Sequence, residues 1–136
     1  MIQVIAGNKG SGKTKRLIDL TNATAREAVH DVIFLDDDNR YMYDVDHKVR
    51  FINVSDYRVS NTDMFIGFLC GILSSNYDVG TVFIDAFLKL CHTGLEKTEP
   101  VVSMLAALGM KQNVDFVLSV SAAPEDLPEF LKQYLI

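Results

Sequence analysis

Eight residues near the start of the chain, Gly7-Asn8-Lys9-Gly10-Ser11-Gly12-Lys13-Thr14, have the spacing G-x-x-x-x-G-K-[ST]. The chemistry this pattern serves is phosphate binding. Glycines at 7, 10 and 12 let the backbone turn tightly and bring its N–H groups around an anion with no Cβ in the way. The helix that follows adds its positive end. In such a loop Lys13 reaches the outer phosphates, where it can also serve catalysis, and the Thr14 hydroxyl is offered to a magnesium ion. The expected ligand is a nucleoside triphosphate, ATP or GTP, with Mg2+.

Two sets of carboxylates complete the candidate chemistry. Thr81-Val82-Phe83-Ile84-Asp85 is a short apolar strand ending in an acid, the arrangement in which an aspartate orders magnesium through water, so Asp85 joins Thr14 as a candidate metal residue. Many enzymes of this kind carry a glutamate directly after that aspartate as general base, whereas here Ala86 and Phe87 follow. Asp36, Asp37 and Asp38, past another strand, are the replacements available, since a carboxylate there can face the terminal phosphate. The competing reading of that cluster is a solvated acidic turn. Ser119 and Ser121, near the end of the last strand, are further candidates for touching a ligand, and no arginine can be singled out as a transition-state group.

These residues need elements that hold them. Ile2 to Ala6 reads as a strand, the glycine loop follows, and a helix runs from about Lys13 to Val29 with Leu17, Ile18, Ala25 and Ala28 on its apolar positions. Val32 to Leu35 is a second strand. Asn39 to Lys48 is mixed polar and aromatic and reads either as a hairpin or as an ordered surface loop. Val49 to Val54 is a strand, Asn61 to Ser75 a helix capped by Ser60 or Asn61, and Thr81 to Ile84 a buried strand. A helix covers part of Pro100 to Lys111, with Pro100 suited to its first turn. Val114 to Val120 is the last strand, and Pro124 to Leu135 carries Leu127, Phe130, Leu131 and Tyr134 at helical spacing, which predicts a short amphipathic helix closing the sheet. Strands alternating with helices predict a three-layer α/β/α sandwich with a mostly parallel central sheet. Ligands in such sheets bind at the carboxyl ends of the strands, which places Gly7, Asp36 and Asp85 along one edge.

With those elements laid out, the chain resembles the thymidine-kinase branch of the P-loop NTPases and its RecA-like relatives. The resemblance rests on the G-x-x-x-S-G-K-T opening, on Asp37-Asp38-Asn39-Arg40-Tyr41 after the next strand, and on Phe83-Ile84-Asp85, and it covers roughly residues 1 to 90. It implies that Asp38 and Arg40 lie near magnesium and phosphate, which makes Arg40 a candidate nucleotide-binding residue. The family's catalytic glutamate corresponds to Ala86, its zinc-binding cysteines have no counterpart, and its long substrate-covering loop is absent after Val120.

Composition bounds the remainder. The chain has 136 residues, 49% of them hydrophobic, which suits a single nucleotide-binding domain over 1–136. A net charge of -5 with no long run of Lys or Arg argues against a general nucleic-acid or membrane-surface role. The apolar run Met64 to Leu73 is too short to cross a bilayer, and the opening Met1 to Ala6 is too short for a signal peptide, so a cytoplasmic protein is expected. Cys70 and Cys91 form no C-x-x-C pair and read as reduced core residues. His30, His47 and His92 lack metal-ligand spacing and read as solvent-facing. Phe65, Phe68, Leu69, Phe83 and Phe87 read as core. Three functions fit: a slow NTPase or nucleotide switch, which can depend on a protein partner or a second subunit; a small-molecule kinase of nucleoside type; or a non-catalytic ATP-binding interaction module, which the alanine after Asp85 favours.

Overall fold

A computed structural model describes residues 1–136. Five strands, β1 (Ile2–Gly7), β2 (Asp31–Asp36), β3 (Val49–Asn53), β4 (Val79–Ile84) and β5 (Asp115–Ser121), form one sheet in the order β1-β5-β4-β2-β3. Every pairing is parallel. Parallel strands need covered faces on both sides, and this sheet has them. Helix α1 (Lys13–Glu27) lies on one face, and α2 (Thr62–Ser75), α3 (Phe87–Leu90) and α4 (Glu99–Gln112) pack into the core of the other. The result is a three-layer α/β/α sandwich.

The two-residue period of the strands divides the core in two. Ile5, Val32, Phe34, Phe83 and Val117 point toward Leu17, Ile18 and Ala25 of α1. Val4, Ile33, Leu35, Val82, Ile84, Phe116 and Leu118 point the other way, toward Phe65, Leu69 and Leu73 of α2 and Val102 and Leu105 of α4. Strands β4 and β2 are buried almost throughout, so their residues alternate between two apolar layers rather than between core and water.

Local chemistry sets the helix ends. The Asn61 side chain accepts the Met64 N–H at 2.9 Å and starts α2, so Asn61 rather than Ser60 is the cap. Pro100 sits in the first turn of α4, where its missing N–H costs nothing. The stretch after β2 is neither strand nor hairpin: it is a run of turns held by Asn22 of α1, whose side chain donates to the Asp44 carbonyl at 2.9 Å and accepts the Asp46 N–H at 2.7 Å.

The C-terminal segment departs from expectation. Instead of one amphipathic helix over Pro124 to Leu135, it has a 3-10 turn (Pro124–Asp126) and a single α turn, α5 (Glu129–Lys132). Pro128 has no N–H to continue a helix from the first turn into the second. Beyond α5 the backbone runs along the free edge of β1, with the Val4 N–H donating to Tyr134 at 2.9 Å and the Ile136 N–H donating to Val4 at 3.0 Å. The sheet is closed there by backbone rather than by a helical face, which removes an unpaired edge. The short α3 and the 3-10 turn Leu95–Lys97 also lie where no element was expected. Cys91 is buried, and burial pushes its thiol up to about 11, so it is an unreactive core residue. Cys70 and Phe68 are only half-buried: Phe65, Leu69 and Leu73 are the buried residues of α2, and Phe68 packs at the margin of that core beside Tyr57.

Candidate functional site

The glycine loop connects β1 directly to α1. Gly10 and Gly12 take φ of 85° and 84°, in the left-handed region that side chains resist, and Gly12 delivers the chain into the first turn of the helix. Gly7 is needed for a different reason: a Cβ there would run into the Ser11 side chain folded across it. The loop is closed by the Ser11 N–H donating to the Asn8 carbonyl at 3.0 Å. No acidic side chain occupies the first turn of α1, so its positive end is uncompensated, as an anion site requires.

The carboxyl ends of β2, β4 and β5 supply the other half. The Thr14 hydroxyl donates to the Asp85 carboxylate at 3.1 Å, joining the glycine loop to the end of β4 across 71 residues of sequence. Ser119, at the end of β5 and fully buried, donates its hydroxyl to the Asp85 carboxylate and accepts the Ala86 N–H at 2.9 Å. Ala86 adopts a left-handed conformation, φ 50°, directly after Asp85. Ser119 is thereby drawn into the site, while Ser121 is exposed and makes no side-chain hydrogen bond.

Asp36 is the most unusual group. It ends β2 with 2% exposure; one carboxylate oxygen accepts the Asp37 N–H at 2.8 Å, and the other is buried without a partner. Burial, with the neighbouring Asp37 and Asp85 charges adding to it, pushes its pKa up to about 8. The reading of residues 36 to 38 as a solvated acidic turn therefore fails for Asp36. Burial would raise Asp37 as well, but a hydrogen-bonded ion pair with Lys89 outweighs that, and Asp37 sits below the ordinary carboxylate range. Carboxylate oxygens of Asp36, Asp37 and Asp38 come within 4.8 Å of one another. A desolvated carboxylate with an orphaned oxygen destabilises a fold, and such groups gather at functional sites.

Arg40 is held by Asp38, 3.3 Å away, and its guanidinium stands 5.7 Å from the centre of the Tyr41 ring. Both residues wall an 830 Å³ cavity that begins at Lys9, Gly10, Gly12, Lys13 and Thr14 and continues along α1 past Ile18 and Asn22. The structure thus gathers all the predicted residues, Gly7 to Thr14, Asp36 to Asp38, Arg40 and Asp85, at one end of the sheet. Asn22, Tyr41 and Lys89 join them without having been singled out in sequence. Asn22 and Lys89 belong to no motif, and Tyr41 had appeared only as part of a family-like segment.

No family model matches the chain. No curated protein matches it. Among solved structures, a KaiC-like protein from the hyperthermophilic archaeon Pyrococcus horikoshii is similar over 98% of this chain with a TM-score of 0.61 and 12% identity. The chain spans 66% of that protein, about two thirds of its length. The likeness shows a P-loop NTPase-like fold.

Proposed function

We propose that this chain is a magnesium-dependent nucleoside-triphosphate-binding domain, spanning 1–136, that acts as a slow NTPase or nucleotide switch in the cytoplasm. The observation that carries the reading is the 3.1 Å contact between Thr14 and Asp85 beside the glycine loop, because it brings the phosphate-binding and metal-ordering halves of such a site together. The buried Asp36 oxygen without a partner supports a cationic ligand at the same place. Thr14 and Asp85 would hold Mg2+, which would supply positive charge against the negative charge developing on the phosphate.

In this reading the loop from Gly7 to Thr14 cradles the phosphates of ATP or GTP, and Lys13 contacts the outermost ones. The base end of the nucleotide lies along the cavity, over Ile18 and against Arg40 and Tyr41. Asp36, with Asp37 and Asp38 beside it, orients water in place of the glutamate that Ala86 replaces. Ser119 keeps Asp85 in one orientation. The order of motifs supports placing the chain as a diverged member of the thymidine-kinase-like and RecA-like branch.

A small-molecule kinase needs a second pocket facing the terminal phosphate. Two further cavities, lined by residues such as His30, Asp31, Val32, Lys48 and Val49, lie at the amino ends of the strands, away from the glycine loop, and offer no acceptor site there. The test is turnover of ATP and GTP by Asp36→Asn, Asp37→Asn and Asp38→Asn, singly and together. Hydrolysis should fall by about a hundredfold in the Asp36 variant while nucleotide binding is spared. Unchanged turnover would remove the cluster from the mechanism, and binding without hydrolysis above Lys13→Ala in the unmodified chain would leave the interaction-module reading.

A further inference from the structure

Two cations outside the glycine loop stand among the carboxylates of the site. Arg40 is taken by Asp38 and lies over Tyr41, whereas Lys89 pairs with Asp37. Lys89 belongs to α3, four residues beyond Asp85, and its placement is set from both ends. At one end Ala86 turns the chain through a left-handed conformation and hands its N–H to Ser119. At the other end His92 is also left-handed, φ 53°, and its ring Nε2 lies 3.0 Å from the Val59 carbonyl, while Thr62 donates to the Cys91 carbonyl at 2.6 Å. Phe87 and Leu90 are buried beneath the turn. The base of Lys89 is therefore fixed relative to Asp85, although its side chain is 75% exposed.

Two non-glycine residues in left-handed conformations carry a conformational cost that is kept where geometry matters. An ion pair with one end in water returns little stability, so stability does not account for the arrangement. What the pair does is electrostatic: Asp36, Asp37 and Asp38 crowd together beside Asp85, and a triphosphate would add further negative charge. We infer that Lys89 is a positioning residue for the proposed hydrolysis, fixing the Asp37 carboxylate beside the buried Asp36. The inference rests on the nucleotide-site reading and adds to it a residue that no motif contains.

The experiment compares the unmodified chain with Lys89→Met, Lys89→Arg, Asp37→Asn, Lys89→Met/Asp37→Asn and Lys13→Ala, measuring ADP affinity, KM and kcat for Mg-ATP. Lys89→Met should lower kcat by about ten- to a hundredfold, a loss of the size that misplacing a working group causes. ADP affinity and KM should stay within about threefold, because the phosphate loop is untouched. Lys89→Arg should restore kcat to within about threefold, and the double variant should be no slower than Asp37→Asn alone, as expected for two residues acting as a unit. Equal kcat in Lys89→Met and the unmodified chain, or additive losses in the double variant, would overturn the role of Lys89 while leaving the nucleotide site standing. If the unmodified chain neither binds nor turns over nucleotide above Lys13→Ala, the site reading falls and takes this inference with it.

Discussion

Replacing Asp36 by Asn should change how stability responds to pH, and the size of the effect follows from the burial of that side chain. In the unfolded chain a carboxylate titrates near its ordinary value of 3.8, whereas in the folded chain Asp36 is pushed up to about 8. Between these values the native state holds a proton that the unfolded state releases. The unfolded state then binds fewer protons, and stability falls as pH rises. Each pH unit in that window removes about 1.4 kcal/mol, and the whole window at most about 6 kcal/mol. Asn cannot ionise. Its amide keeps an acceptor for the Asp37 N–H but places N–H donors where an oxygen had no partner, a cost of about 1–3 kcal/mol that is the same at every pH. The informative quantity is therefore the slope. Urea unfolding at pH 5, 6, 7 and 8 in the presence of a chelator should show the stability of the unmodified chain falling by about 1.4 kcal/mol per unit relative to Asp36→Asn, with the curves flattening together below pH 4. Parallel curves over pH 5 to 8 would mean that Asp36 ionises normally in the fold, and the argument from its burial would fail.

Other variants test the supports of the site. Ser119→Ala removes the hydroxyl that bridges Asp85 and the Ala86 N–H in a fully buried position; it should cost about 1–3 kcal/mol in urea unfolding and weaken magnesium-dependent nucleotide binding more than binding without the metal. Asn61→Ala deletes the cap of α2 and should cost about 0.5–2 kcal/mol with nucleotide affinity unchanged, measured by the same unfolding assay and an ADP titration.

Much of this was legible in the sequence, for reasons that differ from element to element. The glycine loop could be read because its function dictates residue types at fixed spacing, and Gly7, Gly10 and Gly12 are used as that spacing implies. The buried strands announced themselves as short apolar runs, although β4 begins two residues earlier than Thr81, because Val79 and Gly80 carry no period that marks a boundary. Asp36, Asp37 and Asp38 looked alike in sequence, and only the fold separates them: the last residue of a central strand is buried, the next meets Lys89, and the third meets Arg40. Lys89 was invisible because its meaning depends on the left-handed turn at Ala86, which nothing in the sequence marks. The C-terminal segment is not a single helix although Leu127, Phe130, Leu131 and Tyr134 keep helical spacing, because Pro128 and the open edge of β1 draw the backbone elsewhere.

The central claim is that the glycine loop holds nucleotide phosphates, and a thermal-shift titration with ATP, GTP and ADP, each with magnesium, on the unmodified chain and Lys13→Ala tests it most directly. Ligand at about a hundred times its dissociation constant adds about 2.7 kcal/mol, which for a domain of this size raises the midpoint by roughly 5 to 15 °C. The account predicts such a rise with at least one triphosphate and its loss in Lys13→Ala; no rise with any nucleotide, or an equal rise in both proteins, would contradict it.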